Sequence, residues 1–146
     1  MLKIVLDANV FASALINPHG KPAEILDCVS ENRVRLLASS SIIEELERVL
    51  SYPKLVDRHR LPKREIEEFI YGLLSIIALV EEGDTIAVIK EAPSDNKYLS
   101  CALKGRADFI VSGDEHLLNL GSYKGIQITI PAQFLEMIEE EGEKIV

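Results

Sequence analysis

Two short runs of this chain are apolar throughout and lead into an aspartate: "IVLD", residues 4–7, and "FIVSGD", residues 109–114. A strand with one wet face alternates apolar and polar side chains; a strand covered on both faces does not. Runs like these call for a sheet with helices on each side. They also raise a chemical question. Neither Asp7 nor Asp114 has a basic residue beside it in sequence to balance a carboxylate at the edge of a core.

The remaining pattern alternates in the same sense. Lys3 to Leu6 forms the first expected strand, and "VRLLAS", residues 34–39, the second. Between them "NPHGKP" is a loop, and Pro22 suits the first turn of a helix with Ile25, Leu26 and Val29 on its apolar face. Ser39 to Ser41 offer caps for a helix through Ile42, Ile43, Leu46, Val49 and Leu50, which Pro53 ends. A helix is expected from Lys63 to Ser75, then a short strand in "IIALVEE". Residues 83–95 fit either an extra short strand or an extended connection. "NKYLSCALKG" reads as a helix with Gly105 as its C-terminal cap. After the strand in "DFIVSGD" come the short helix "EHLLNL", the strand "IQITI" and a helix from Pro131 to Glu141.

Elements in this order predict an α/β fold, with a mainly parallel sheet and helices on both faces, in a single domain over residues 1–146. At 146 residues and 47% apolar, the chain is long enough to bury a core without disulfides or metal staples. Cys28 and Cys101 are therefore expected to be buried and reduced. No apolar run approaches the roughly 18 residues of a membrane span, and no signal-peptide pattern opens the sequence, so the expected compartment is the cytoplasm.

In open parallel sheets, ligands bind beyond the carboxyl ends of the strands. Asp7 and Asp114 belong at that edge. Asp95, at the head of "DNKYLSCAL", and a glutamate of "SIIEELERVL" are the candidates to join them. At about 100° per residue, the apolar stripe of the second segment centres near Leu46. Glu44 then faces solvent, while Glu45 and Glu47 border opposite edges of the buried face. Glu45 is the candidate to look into a crevice, although this arithmetic leaves the side open.

Crowded carboxylates repel one another and lose hydration, so without a cation at least one should take up a proton. A cluster lacking His and Cys suits Mg²⁺ or Mn²⁺ better than zinc, and such an ion serves phosphoryl transfer. Blander readings stand beside this. A strand-end Asp is commonly a helix cap or turn residue; Asp95 fits a cap, and Asp108 an ordinary turn acid. His116 reads as a surface or capping residue and His19 and His59 as loop residues. Phe11, Tyr52, Tyr98 and Phe109 read as core rather than as a base-stacking platform.

The net charge of −8, from 16 basic and 24 acidic residues, disfavours long-range attraction to nucleic acid. Its distribution is uneven. "YPKLVDRHRLPKRE" gathers Lys54, Arg58, Arg60, Lys63 and Arg64, in the simplest case as a solvated loop and helix start.

Through "VLDANVFASAL", "SSSIIEELERVL", "DNKYLSCALKGRADFIVSGDEHLL" and "ITIPAQFL", in that order and over nearly the whole chain, the sequence resembles the PIN-domain family of metal-dependent nucleases. It looks most like the branch containing toxins of toxin–antitoxin systems. The resemblance implies a three-layer α/β/α sandwich with an acidic site at the carboxyl edge of the sheet. It implies Asp7, Glu45, Asp95 and Asp114 as catalytic acids and ligands of one or two Mg²⁺ or Mn²⁺ ions. Asn9 would organise the first turn, and Ser112 would be a supporting hydroxyl. The implied reaction is hydrolysis of RNA by a metal-activated water, leaving a 5′-phosphate and a 3′-hydroxyl. The implied partners are RNA, an antitoxin protein and a second copy in a homodimer. Lys54, Arg58, Arg60, Lys63 and Arg64 would then clamp RNA phosphates. Competing functions are a non-catalytic binding or assembly module, a metal-dependent phosphatase, or a DNA nuclease. A haloacid-dehalogenase phosphatase needs a second Asp where Asn9 stands.

Overall fold

The computed structural model describes residues 1–52 and 60–145. The strands are β1 (Leu2–Leu6), β2 (Val34–Ala38), β3 (Ile77–Leu79), β4 (Phe109–Val111), β5 (Ser122–Tyr123) and β6 (Ile126–Thr129). The helices among the described residues are α1 (Ala8–Ile16), α2 (Lys21–Ser30), α3 (Ser40–Leu50), α4 (Lys63–Ile76), α5 (Asn96–Gly105), α6 (Glu115–Leu118) and α7 (Pro131–Ile145), with one 3₁₀ turn at Pro93–Asp95. One sheet holds all six strands in the order β3-β2-β1-β4-β6-β5. Every pairing is parallel except that of β5 with β6.

The lack of alternation in β1 and β4 has the expected cause. Ile4 and Leu6 of β1, with Phe109 and Val111 of β4, enter a core shared with Phe11, Ile25, Val29, Leu46, Ile66 and Phe134. Val5 and Ile110 point through the sheet into a second core with Tyr98, Leu99, Ala102 and Leu117. Alternate residues of one strand thus feed opposite cores, which makes the three-layer α/β/α sandwich. Cys28 and Cys101 are free and buried. Among the described residues no helix is long and apolar enough to cross a membrane.

Several local details differ from the sequence expectation. The strand β5 is an antiparallel edge of two residues, too short to carry a period. Residues 80–90 form no strand, so of the two expected alternatives for this stretch the extended connection is the one found. That connection is pinned instead by Asn96, whose Oδ1 accepts from the Ile89 N–H at 2.9 Å and whose Nδ2 donates to the Ile89 carbonyl at 3.0 Å. At the C-terminus of α5 the left-handed residue is Arg106, at φ 56° and ψ 48°, and not Gly105. Gly105 is small for another reason: a Cβ there would lie 2.8 Å from Leu37 Cδ1 and 3.0 Å from Val80 Cγ2. Ser39 holds the N-cap position of α3 but makes no side-chain cap bond. Glu82 does that work from outside, accepting from the Ser41 N–H and hydroxyl, each at 2.7 Å. Tyr52 is exposed rather than part of the core, and Pro53 lies outside the described residues.

Candidate active site

The chain steps outward from β1 to β2 and β3, then returns to lay β4 on the other side of β1. The β1–β4 seam is therefore the point where strand order reverses, and open α/β sheets bind ligands at the carboxyl ends of such a seam. Leu6 pairs with Val111 across it, and the Asp7 N–H donates to the Val111 carbonyl at 3.1 Å. This register places Asp7 beside Ser112.

The Ser112 hydroxyl donates to Asp7 Oδ2 at 2.7 Å and accepts from the Asp114 N–H at 2.9 Å. Asp7 Oδ1 accepts from the Asn9 N–H at 3.0 Å, capping α1. Asp114 Oδ1 likewise caps α6 through the His116 N–H at 2.7 Å, and the His116 Nδ1 lies 3.1 Å from the same oxygen. Both strand-end aspartates thus cap a helix and face the site at once. Asn9 contributes its backbone N–H to this turn, and the residue is itself exposed.

Asp95 differs from them. It ends the 3₁₀ turn at the head of α5 and makes no cap bond. The residue is only 7% exposed, and its Oδ2 is buried with no hydrogen-bond partner. Burial, and then the negative charges of Asp114, Asp7 and Glu45, push its carboxyl up to about 6. Burial also raises Asp7; the bonds from Ser112 and Asn9 oppose that shift, and Asp114 and Glu45 add to it. Asp7, Glu45, Asp95 and Asp114 therefore lie close enough to feel one another's charge.

Glu45 approaches from α3, half-buried, while Glu44 and Glu47 are exposed. Its Oε2 accepts from Lys97 Nζ at 2.5 Å and from the Tyr98 hydroxyl at 2.9 Å. The Tyr98 oxygen in turn accepts from the Ala8 N–H at 3.1 Å, directly behind Asp7. Burial, with Asp7 next in weight, drives the phenol pKa far upward, so Tyr98 stays a neutral donor to Glu45. Sequence reasoning put Tyr98 in the core, where its ring is, and passed over its hydroxyl and Lys97. The one available signal was position: both sit within three residues of Asp95, on the first turn of the helix it heads.

The expected phosphate clamp is only partly in view. Lys54 and Arg58 lie outside the described residues, as does His59. Lys63 and Arg64 are exposed and face Glu67 and Glu68 of their own helix, at 4.0 and 3.1 Å. Arg60 is exposed in a left-handed turn at φ 51°. Asp108 is the turn acid it was expected to be, accepting from the Lys3 N–H at 2.9 Å.

A buried, partnerless carboxylate oxygen among other acids is what a cation would satisfy. Ligand atoms of Asp95, Asp114 and His116 all lie within 4.8 Å of one another, whereas Asp7 and Glu45, expected as ligands too, are not in that group. The donor set is mostly oxygen and fits a divalent ion. The expectation of a cluster lacking histidine is corrected, because the cap geometry of α6 turns the His116 ring back onto Asp114.

Comparison with known proteins agrees with this architecture. The PIN-domain family matches residues 3–116. The uncharacterized protein MJ1680 of Methanocaldococcus jannaschii is 30% identical, over 95% of this chain and 93% of its own length. The crystal structure of PAE2754 from Pyrobaculum aerophilum superposes with a TM-score of 0.64 at 17% identity, covering 95% of this chain and 90% of that one. The last of these likenesses concerns the fold; the first two, on top of the acid-lined seam, show that this chain belongs to the PIN-domain family.

Proposed function

We propose that this chain is an endoribonuclease dependent on Mg²⁺ or Mn²⁺. PIN domains are generally metal-dependent nucleases, so the broad class follows from the family. The observation that carries the finer reading is Asp95 Oδ2, buried and without a protein donor beside Asp7 and Asp114. A purely structural acid in that position would be a standing cost.

Asp7, Asp95, Asp114 and Glu45 are the acids we assign to the site, with His116 beside Asp114. When bound, a divalent ion supplies the charge that lets a phosphodiester approach these carboxylates, and the acidity that makes water a nucleophile near neutral pH. The protein's own residues supply orientation. Ser112 locks Asp7 and Asp114 into one unit, and Tyr98 ties Glu45 to the start of α1. RNA as the substrate rests on the family likeness and on the exposed basic side chains of Arg60, Lys63 and Arg64. A role as the toxin of a toxin–antitoxin pair, working as a homodimer, rests on the likeness of the motifs alone. The check is a search for an adjacent small reading frame whose product blocks cleavage; finding one would support that role.

The test is a panel of RNA, single-stranded and duplex DNA, and a generic phosphate monoester, each with Mn²⁺ and with chelator. RNA is cut only with metal, and Asp7→Asn or Asp114→Asn lowers the rate at least a hundredfold. DNA cut in preference to RNA would transfer the proposal to a DNA nuclease. Turnover at full rate after either substitution would end it.

A further inference from the structure

We propose that the site takes a single divalent ion, among Asp95, Asp114 and His116, and that the ammonium of Lys97 is a built-in second cation on the Glu45 side. The inference rests on the metal-dependent reading above and deepens it.

Lys97 Nζ and Glu45 Oε2 form the tightest ion pair among the described residues, at 2.5 Å. It is also the most sheltered, with side-chain exposures of 17% and 22%, whereas the paired carboxylates at Lys63 and Arg64 stand in solvent. Lys97 is one residue from Asn96, which clamps the Ile89 backbone, and one from buried Tyr98. Its backbone is thus fixed on both sides. The oxygen it holds is already shared with the Tyr98 hydroxyl, itself tied to Ala8. For Glu45 to ligate an ion through Oε2, it would have to give up both donors.

Among the described residues, the ligand atoms within 4.8 Å of one another belong to Asp95, Asp114 and His116; neither Glu45 nor Asp7 is in that group. An octahedral ion with bonds of about 2.1 Å sets neighbouring ligand atoms about 3 Å apart. The 3.1 Å between Asp114 Oδ1 and His116 Nδ1 meets that spacing. Two-ion sites hold their metals roughly 3.5–4 Å apart. A second ion on the Glu45 side would have to displace an ammonium that is a compact point charge and already neutralises the carboxylate there. The Lys97 ammonium supplies that charge permanently.

Metal binding without RNA tests this directly, by electron paramagnetic resonance of free Mn²⁺ during titration of the full chain. The wild-type protein binds one ion per chain. Lys97→Met, similar in shape and uncharged, acquires a second; Lys97→Arg stays at one. His116→Ala keeps a stoichiometry of one and binds at least tenfold more weakly. Two ions of comparable affinity on the wild-type chain would overturn the proposal while leaving the nuclease reading intact, and this measurement needs no variant to fold. A Lys97→Met protein with native circular dichroism that still binds one ion would overturn it as well. A wild-type chain that binds no Mn²⁺ at millimolar concentration removes both readings together.

Discussion

Ser112 shows how much can hang on a single hydroxyl. It is fully buried, donates to Asp7 and accepts from the backbone of Asp114, so it sets the relation between the two strand-end acids. Ser112→Ala would leave a buried carboxylate oxygen and a backbone N–H short of a partner, at a cost of about 1–3 kcal/mol. The expected outcome is a lower urea midpoint and RNA cleavage reduced at least tenfold, with Mn²⁺ affinity weakened in parallel. Stability lost with cleavage intact would show that the hydroxyl serves folding alone. Asp7 and Asp114 were legible in the sequence because their signal is local, an apolar run that ends on an acid; the helical stripe narrowed the glutamate to Glu45 or Glu47, and the motif likeness chose Glu45. Lys97, Tyr98 and His116 were not legible. The Tyr98 hydroxyl matters through Ala8 and Glu45, 90 and 53 residues away, and Lys97 matters through Glu45, 52 residues away. His116 is only two residues from its partner, but the turn of a four-residue helix decides that the ring folds back.

At the scale of elements, the strands that pack on both faces announced themselves, since burial on two sides leaves no room for polar residues. Elements held by one hydrogen-bonded contact did not. β5 has two residues and no pattern, and the cap of α3 comes from Glu82, 41 residues from the serine it bonds. The end of α5 is the sharpest case. Glycine is the usual left-handed residue after a helix, yet here glycine precedes that position, kept small by Leu37 and Val80, and Arg106 takes the strained conformation. Arg106 is exposed, so the strain can be relieved without disturbing the core. Arg106→Gly is expected to raise stability by about 0.5–1 kcal/mol, the relief of a left-handed side chain less the extra freedom of an unfolded glycine. Urea denaturation measures it, and a lower midpoint would place the strain elsewhere.

For the molecule as a whole, the buried acids of the site work against the fold once they are ionised, and pH separates the two. The Asp95 carboxyl titrates near 6 in the folded chain against 3.8 as an ordinary aspartate, for reasons of burial and neighbouring acids. Between those values the native state holds a proton that the unfolded chain has released. Stability from this group is therefore fully present below about pH 4 and falls as pH rises through about 6. Asp7, also raised, acts in the same direction. Glu82, lowered by its bonds to Ser41, acts oppositely: its contribution is present at neutral pH and lost on acidification. A whole-protein pH curve mixes these signs, whereas a comparison with Asp95→Asn isolates one of them. In chelator at pH 7.5, Asp95→Asn is expected to be more stable than the wild type by on the order of 2 kcal/mol, or roughly 5 °C in melting temperature. At pH 4.5 the gap narrows, and below about pH 4 it closes. Saturating Mn²⁺ at pH 7.5 reverses the order, because the ion stabilises only the chain that retains the ligand. If the wild type were the more stable of the two in chelator at neutral pH, Asp95 would be satisfied by the protein itself, and no cation would be needed to explain why it is buried there.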